Sequence, residues 1–221
     1  MPLPFYPVDP ESNRKHYFDA EPTVDSDRGE VELILPDLMA SFVTDAGVFA
    51  RSAVDAGSKL LLLDGPAPNP NDTVVADLGA GYGPIAITLA KRNPGAEVWA
   101  IEVNSRARQL CTENAQRAGL DNVRVVDPTE VPDDLSFDRL WSNPPIRIGK
   151  PALHQLLTTW LGRLKPSGSA HLVVQKHLGS DSLQRWLSAN GWPTTRRSSR
   201  GGYRLLDVDP ASAQPDTKSV E

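Results

Sequence analysis

Between residues 73 and 207, short apolar runs alternate with longer amphipathic stretches, and most changes of pattern fall at glycine, proline or asparagine. Residues 73–78 (TVVADL) read as a strand buried on both faces. Residues 84–92 carry helical spacing and stop at Asn93-Pro94-Gly95. A second strand is predicted over 97–103. Ser105 is placed to cap a helix that runs to Ala118 and closes at Gly119. Strands follow over 123–126 and 137–142, then a helix over 151–164 closed by Lys165-Pro166-Ser167-Gly168. A strand over 170–175, a helix over 181–189 and two short strands flanking Gly201-Gly202 complete the series. Such alternation predicts an α/β fold, Rossmann-like, with an open, mostly parallel sheet and helices on both faces.

Upstream the pattern is less regular. Residues 31–35 alternate apolar and polar and predict a short strand, whereas 38–64 hold apolar runs that fit either helix or strand. The segment 65–71 (GPAPNPN) can be neither helix nor central strand and reads as a long turn. The expected organisation is a loosely ordered arm over 1–30, an extension over 31–72 packing near the active site, an α/β domain over 73–208 and a disordered tail over 209–221.

Composition narrows the class. The chain has 221 residues, enough for one sizeable core, and a single cysteine, which excludes a disulfide framework or a cysteine-based metal site. No run of about 18 apolar residues predicts a membrane span, and the proline-rich start lacks the basic and apolar regions of a signal peptide. A cytoplasmic, monomeric protein without metal is the expectation. The net charge of −5 argues against a nucleic-acid partner, but its distribution argues for one: residues 139–206 hold eleven bases and one acid, Asp181.

Two motifs carry chemistry. The first strand runs directly into Asp77-Leu78-Gly79-Ala80-Gly81-Tyr82-Gly83-Pro84, the strand–turn–helix position at which open α/β sheets bind nucleotides. Gly79 and Gly81 let backbone approach a ligand without a Cβ in the way. A dinucleotide fingerprint needs a glycine where Pro84 stands, and Asp77 would repel a pyrophosphate. The ammonium and sulfonium of S-adenosyl-L-methionine would be attracted instead. Glu102, 25 residues after Asp77, ends the second strand, where a carboxylate can accept from a ribose diol; Val103 follows it. Asp127 and Glu130 close the third strand, and either can meet an adenine amine.

The second motif is Asn143-Pro144-Pro145-Ile146, at the end of a predicted central strand whose ladder the prolines stop. A side-chain carbonyl and a fixed backbone carbonyl can together hold an exocyclic amine with its lone pair toward a sulfonium methyl. Placement within about 3–3.5 Å in line is the main catalytic resource for such a transfer.

With these residues the chain resembles class I S-adenosylmethionine-dependent N-methyltransferases, and among them the small-methyltransferase domain of RsmC-type 16S ribosomal RNA guanine-N2 methyltransferases. The resemblance spans about 16–207 and rests on Asp77 to Gly83, on Asn143 to Lys150 (NPPIRIGK), on Thr44 to Arg51 (TDAGVFAR) and on Val54-Asp55-Ala56-Gly57. It implies a seven-stranded sheet with its last strand antiparallel. It also implies a methionine site at Asp77, Gly79 and Gly81, a ribose site at Glu102 and a target amine at Asn143, Pro144 and Pro145; Ala80, Gly83, Val103 and Asp127 are further expected donor contacts, with Glu130 the alternative to Asp127 at the adenine. Phe49, Ile146, Arg147 and Lys150 are the expected contacts to RNA or the small ribosomal subunit. Amine-directed relatives often have an aromatic where Ile146 stands, so stacking on the base falls to Tyr17, Phe18 or Phe49.

Other signals are weaker. His16, His154, His171 and His177 lack metal spacing, Cys111 and the tryptophans read as packing residues, and Arg196, Arg197, Arg200 and Arg204 suit either phosphate or a solvated hairpin. Two rivals stand beside the RNA methyltransferase: an N-methyltransferase acting on a protein glutamine or a small amine, and a module that binds the donor without turnover. A nicotinamide-binding protein is disfavoured by Asp77 and Pro84.

Overall fold

A computed structural model describes residue 21 and residues 23–211; most of the expected N-terminal arm and C-terminal tail, with Tyr17, Phe18 and His16, lies outside them. Nine strands and five α-helices are seen among the described residues. In chain order they are β1 (Gly29–Ile34), β2 (Met39–Thr44), α1 (Ala56–Asp64), β3 (Val74–Leu78), α2 (Pro84–Arg92), β4 (Glu97–Ile101), α3 (Ser105–Arg117), β5 (Val123–Val126), β6 (Phe137–Ser142), α4 (Lys150–Leu161), β7 (Leu164–Gln175), α5 (Ser180–Ala189), β8 (Thr194–Arg200) and β9 (Tyr203–Val208).

Seven strands form one sheet in the order β5-β4-β3-β6-β7-β9-β8. The first five are parallel; β9 runs antiparallel to both neighbours. Strand order reverses at β3, which pairs β4 on one side and β6 on the other, the position where such sheets open a crevice. Register makes this crevice useful. Leu78 lies level with Ile101 on β4 and Ser142 on β6, so the glycine turn, Glu102 and Asn143 all leave the same edge at the same height.

Apolar side chains cover both faces of the sheet. One layer gathers Phe42, Leu61, Ile87 and Trp141, and the other gathers Phe137, Leu157, Trp160 and Leu187. Each such side chain stabilises the fold by roughly 1.5–3 kcal/mol on burial. Burial on both sides explains why β3 and β4 read as near-continuous apolar runs.

The ambiguous segment 38–64 divides into β2 and α1. Asp55 caps α1 by accepting from the Ser58 N–H at 3.0 Å. The β1–β2 hairpin is bracketed by Asn114 of α3, which accepts from Val43 N at 2.7 Å and donates to the carbonyls of Val43 and Tyr82. Two boundaries differ in kind from expectation. Asn104, not Ser105, caps α3, accepting from Ala107 N at 2.9 Å. Residues 165–168 do not close α4, which ends at Leu161; they belong to β7, where a bulge opposite Phe137 and Arg139 absorbs them. Gly168 sits there because a Cβ would lie 2.9 Å from the Asp138 carbonyl oxygen.

Candidate active site

The turn after β3 is shaped by left-handed glycines. Gly79, Gly81 and Gly83 have φ of 77°, 57° and 98°. A Cβ at Gly79 or Gly81 would meet nothing within 4 Å and would project into open space, so bare backbone borders that space. Gly83 is different: its Cβ would fall 2.7 Å from Cys111 Sγ, which places α2 tightly on α3.

Two carboxylates lie under the turn. Asp77 is fully buried; one oxygen accepts from Ala86 N at 2.9 Å, and Oδ1 has no hydrogen-bond partner. Burial pushes its carboxyl up to about 8, opposed by the Ala86 N–H and reinforced by the charge of Glu102. Glu102 joins two loops, accepting from Gly81 N at 2.8 Å and Asn104 N at 2.9 Å. Burial also raises its pKa, against those N–H groups and Arg108. A buried oxygen without a donor, two carboxylates that would gain from a positive charge, and a glycine cradle fit a cationic ligand.

Asn143 stands on the opposite lip. Its Nδ2 donates to Asp55 Oδ2 at 2.7 Å and to Ser58 Oγ at 3.0 Å. A carboxylate only accepts, so Asp55 determines which end of the amide faces it and leaves Oδ1 as the outward acceptor. The diproline corner is self-braced: Ile146 N donates to the Pro144 carbonyl at 2.8 Å and Ile148 N to that of Pro145 at 3.1 Å.

The segment between β2 and α1 closes the third side. Tyr82 Oη donates to the Ala50 carbonyl at 3.2 Å, and Ala50 takes φ of 57°, the one non-glycine residue with positive φ among those described. Thr44 Oγ1 donates to Arg51 O, and Asn104 Nδ2 to Gly47 O. These bonds hold Phe49, 40% exposed, over the same hollow as Gly79, Ala80, Gly81 and Asn143.

Other sequence candidates lie further out. Val103 gives its carbonyl to Arg108. Asp127 pairs with Arg108 at 2.9 Å and forms a capping box with Glu130 over the turn Pro128–Glu130. Ile146 and Lys150 line a neighbouring cavity, not the hollow, and Arg147 lies on the short turn Ile146–Ile148 between them. Asp55, Ser58 and Tyr82 join the site through the fold, and the sequence signals only Asp55, through the family-like segment Val54–Gly57. His171 is a buried core histidine bonded to Asp207 and Ser169, and His154 stacks on Trp186 at 3.7 Å. Among the described residues no cluster of three or more metal-ligating side chains occurs, and no helix is long and apolar enough to cross a membrane.

A doubly wound sheet with a glycine cradle over buried carboxylates, facing an asparagine–diproline corner, defines an S-adenosyl-L-methionine-dependent methyltransferase. The chain belongs to the methyltransferase small-domain family, whose model matches residues 39–204. It is 34% identical to YbxB of Bacillus subtilis (strain 168) over 171 residues, 76% of this chain and 85% of that one. It is 33% identical to ribosomal RNA small subunit methyltransferase C of Aeromonas hydrophila over 138 residues, 60% of this chain and 39% of that one. In fold it is similar to the T. thermophilus 16S rRNA guanine-N2 methyltransferase RsmC, solved with AdoMet and guanosine, with a TM-score of 0.72 and 23% identity over 85% of this chain and 52% of that one. The chain thus spans between two fifths and about half of these two ribosomal RNA methyltransferases.

Proposed function

We propose that this chain transfers a methyl group from S-adenosyl-L-methionine to the exocyclic N2 amine of a guanine in 16S ribosomal RNA. The observation that carries the reading is the anchored amide of Asn143, whose Nδ2 is held by Asp55 and Ser58 while Oδ1 is left to accept. An amine that donates to Oδ1 and to the second lone pair of the Pro144 carbonyl has both hydrogens fixed, so its lone pair is aimed across the hollow toward the glycine turn. The donor, when bound, supplies an electrophilic methyl on a sulfonium. Asp77 and Glu102 are the acceptors for its ammonium and ribose, Gly79 to Gly83 give it a backbone cradle next to Val103, and Asp127 or Glu130 borders the adenine. The amine's proton becomes acidic as the new N–C bond forms and leaves to water, so positioning does the work of a base. Phe49 offers the flat apolar face that Ile146 does not.

A base in a folded RNA must be splayed out to reach this hollow. The test is transfer of labelled methyl to small ribosomal subunits, naked 16S RNA and glutamine-bearing protein substrates, with nucleoside analysis of the product. N2-methylguanosine in RNA is the expected product. Label in protein, or binding of donor with no product from any substrate, would replace this reading with one of its rivals.

A further inference from the structure

Ion pairing redistributes the charge that the sequence concentrates in 139–206. Seven of its eleven bases sit against carboxylates: Arg139 on Asp72, Arg163 on Asp133, Lys165 on Asp138, Arg196 and Arg204 on Asp181, Arg197 on Asp207, and Arg200 on Asp64. The arginines of the β8–β9 hairpin, which looked available for phosphate, are therefore each engaged by a carboxylate, with Arg196 and Arg204 sharing Asp181. Arg185 donates to a backbone carbonyl of its own helix. The remaining three, Arg147, Lys150 and Lys176, are exposed and make no ion pair among the described residues.

The segments that carry these three border one cavity. Arg147 lies on the short turn that follows the diproline corner, Lys150 opens α4, and Lys176 opens the turn Lys176–Leu178 after β7. Strands β6 and β7 are parallel neighbours with Ser142 level with Leu172, so both turns rise from the same sheet edge. Between them lies a cavity of about 130 Å³ bordered by Gly149, Lys150, His154, Leu178 and Gly179. It shares Ile146 with the corner that holds Asn143. Helices α4 and α5 both begin there behind Gly149 and Gly179, and no side chain caps either one. Burial and the charge of Lys150 lower the pKa of His154, so the positive charge at this rim comes from the lysines and Arg147.

We infer that Arg147, Lys150 and Lys176 hold the phosphate backbone of single-stranded RNA beside the target nucleotide, across the cavity between α4 and α5, and that the arginine hairpin does not. The inference rests on the RNA reading above. An unpaired exposed cation releases counterions for each phosphate it meets, whereas an arginine already on a carboxylate must first give that partner up.

The experiment is a salt titration of affinity for a guanine-containing single-stranded RNA. It compares wild type, R147Q/K150Q/K176Q and Arg200→Gln, the hairpin arginine with the most exposed side chain at 68%. Calorimetry with S-adenosyl-L-methionine monitors the donor site of each. The triple variant is expected to bind donor as wild type does, to bind RNA at least tenfold more weakly, and to lose roughly 2 from the log–log salt slope, at about 0.7 per phosphate contact. Arg200→Gln is expected to keep the wild-type slope. A triple variant with wild-type RNA affinity and slope, or a slope lost in Arg200→Gln, overturns the surface while leaving the methyltransferase reading intact. A wild-type protein without salt-dependent RNA binding overturns the RNA reading, and this surface with it.

Discussion

Replacing Asp55 by alanine isolates the proposed positioning of the amine. One oxygen of Asp55 accepts from Asn143 Nδ2 at 2.7 Å and from the Ser58 N–H at 3.0 Å. The second bond is a helix cap, whose loss costs about 1 kcal/mol of stability. The first is a hydrogen bond to a charged group, of order 1.5–3 kcal/mol. In Asp55→Ala the Ser58 hydroxyl remains, but a hydroxyl both donates and accepts and no longer determines which end of the Asn143 amide faces the hollow. At about 1.4 kcal/mol per tenfold, kcat should fall roughly 10- to 100-fold. Affinity for the donor should hold, since its acceptors lie under the glycine turn. Asp55→Asn keeps an acceptor and a good cap, and should restore the melting temperature fully and the rate in part. Single-turnover methyl transfer, donor calorimetry and thermal denaturation separate these effects. Wild-type turnover in Asp55→Ala, or a fall in donor affinity as large as the fall in rate, would refute the positioning role.

Three further outcomes follow from the same geometry. Gly81→Ala, with φ of 57° and its Cβ in open space, should lower donor affinity more than stability, whereas Gly83→Ala, 2.7 Å from Cys111 Sγ, should lower the melting temperature and be partly rescued by a second change, Cys111→Ala; calorimetry and melting curves distinguish them. Asp77, held near 8, keeps its proton at neutral pH in the folded protein and loses it when unfolded, so the fold binds more protons and stability from this group falls as pH rises from about 4 toward 8. A cationic donor favours the ionised form, so binding at pH 7, where the donor's own ammonium is still charged, should release protons, and Asp77→Asn should abolish that release; calorimetry in buffers of different ionisation enthalpy checks it. Phe49→Ala should raise KM for RNA several-fold and leave donor affinity unchanged, while Phe49→Trp retains function; steady-state kinetics checks both.

The α/β alternation was legible because β3 and β4 are buried on both faces and α2 to α5 are punctuated by glycine, proline and asparagine. The clustering of Asp77, the glycines and Glu102, proposed above to hold the donor, was legible too, since they are local to two strand ends whose register follows from parallel pairing. On the facing lip the sequence pointed to Pro144, Phe49 and Asn143, but not to what holds Asn143. Its anchors Asp55 and Ser58 are more than 80 residues away in sequence, and only tertiary packing brings the start of α1 beside the end of β6. The segment 38–64 defeated periodicity because α1 is apolar around much of its surface, with Gly57, Leu60, Leu61 and Leu62 all buried. Charge was misleading in the same way: the basic stretch is real in sequence, but carboxylates from Asp64, Asp72 and Asp138 reach it in the fold.

The most direct test is a crystal structure of the protein with S-adenosyl-L-methionine and guanosine. The donor's methionine part is expected against Gly79 to Gly83 and the guanine N2 bonded to Asn143 Oδ1 and the Pro144 carbonyl, with the transferred methyl about 3–3.5 Å away in line. A donor seated away from the glycine turn, or a guanosine in a cavity that does not communicate with it, would contradict the account.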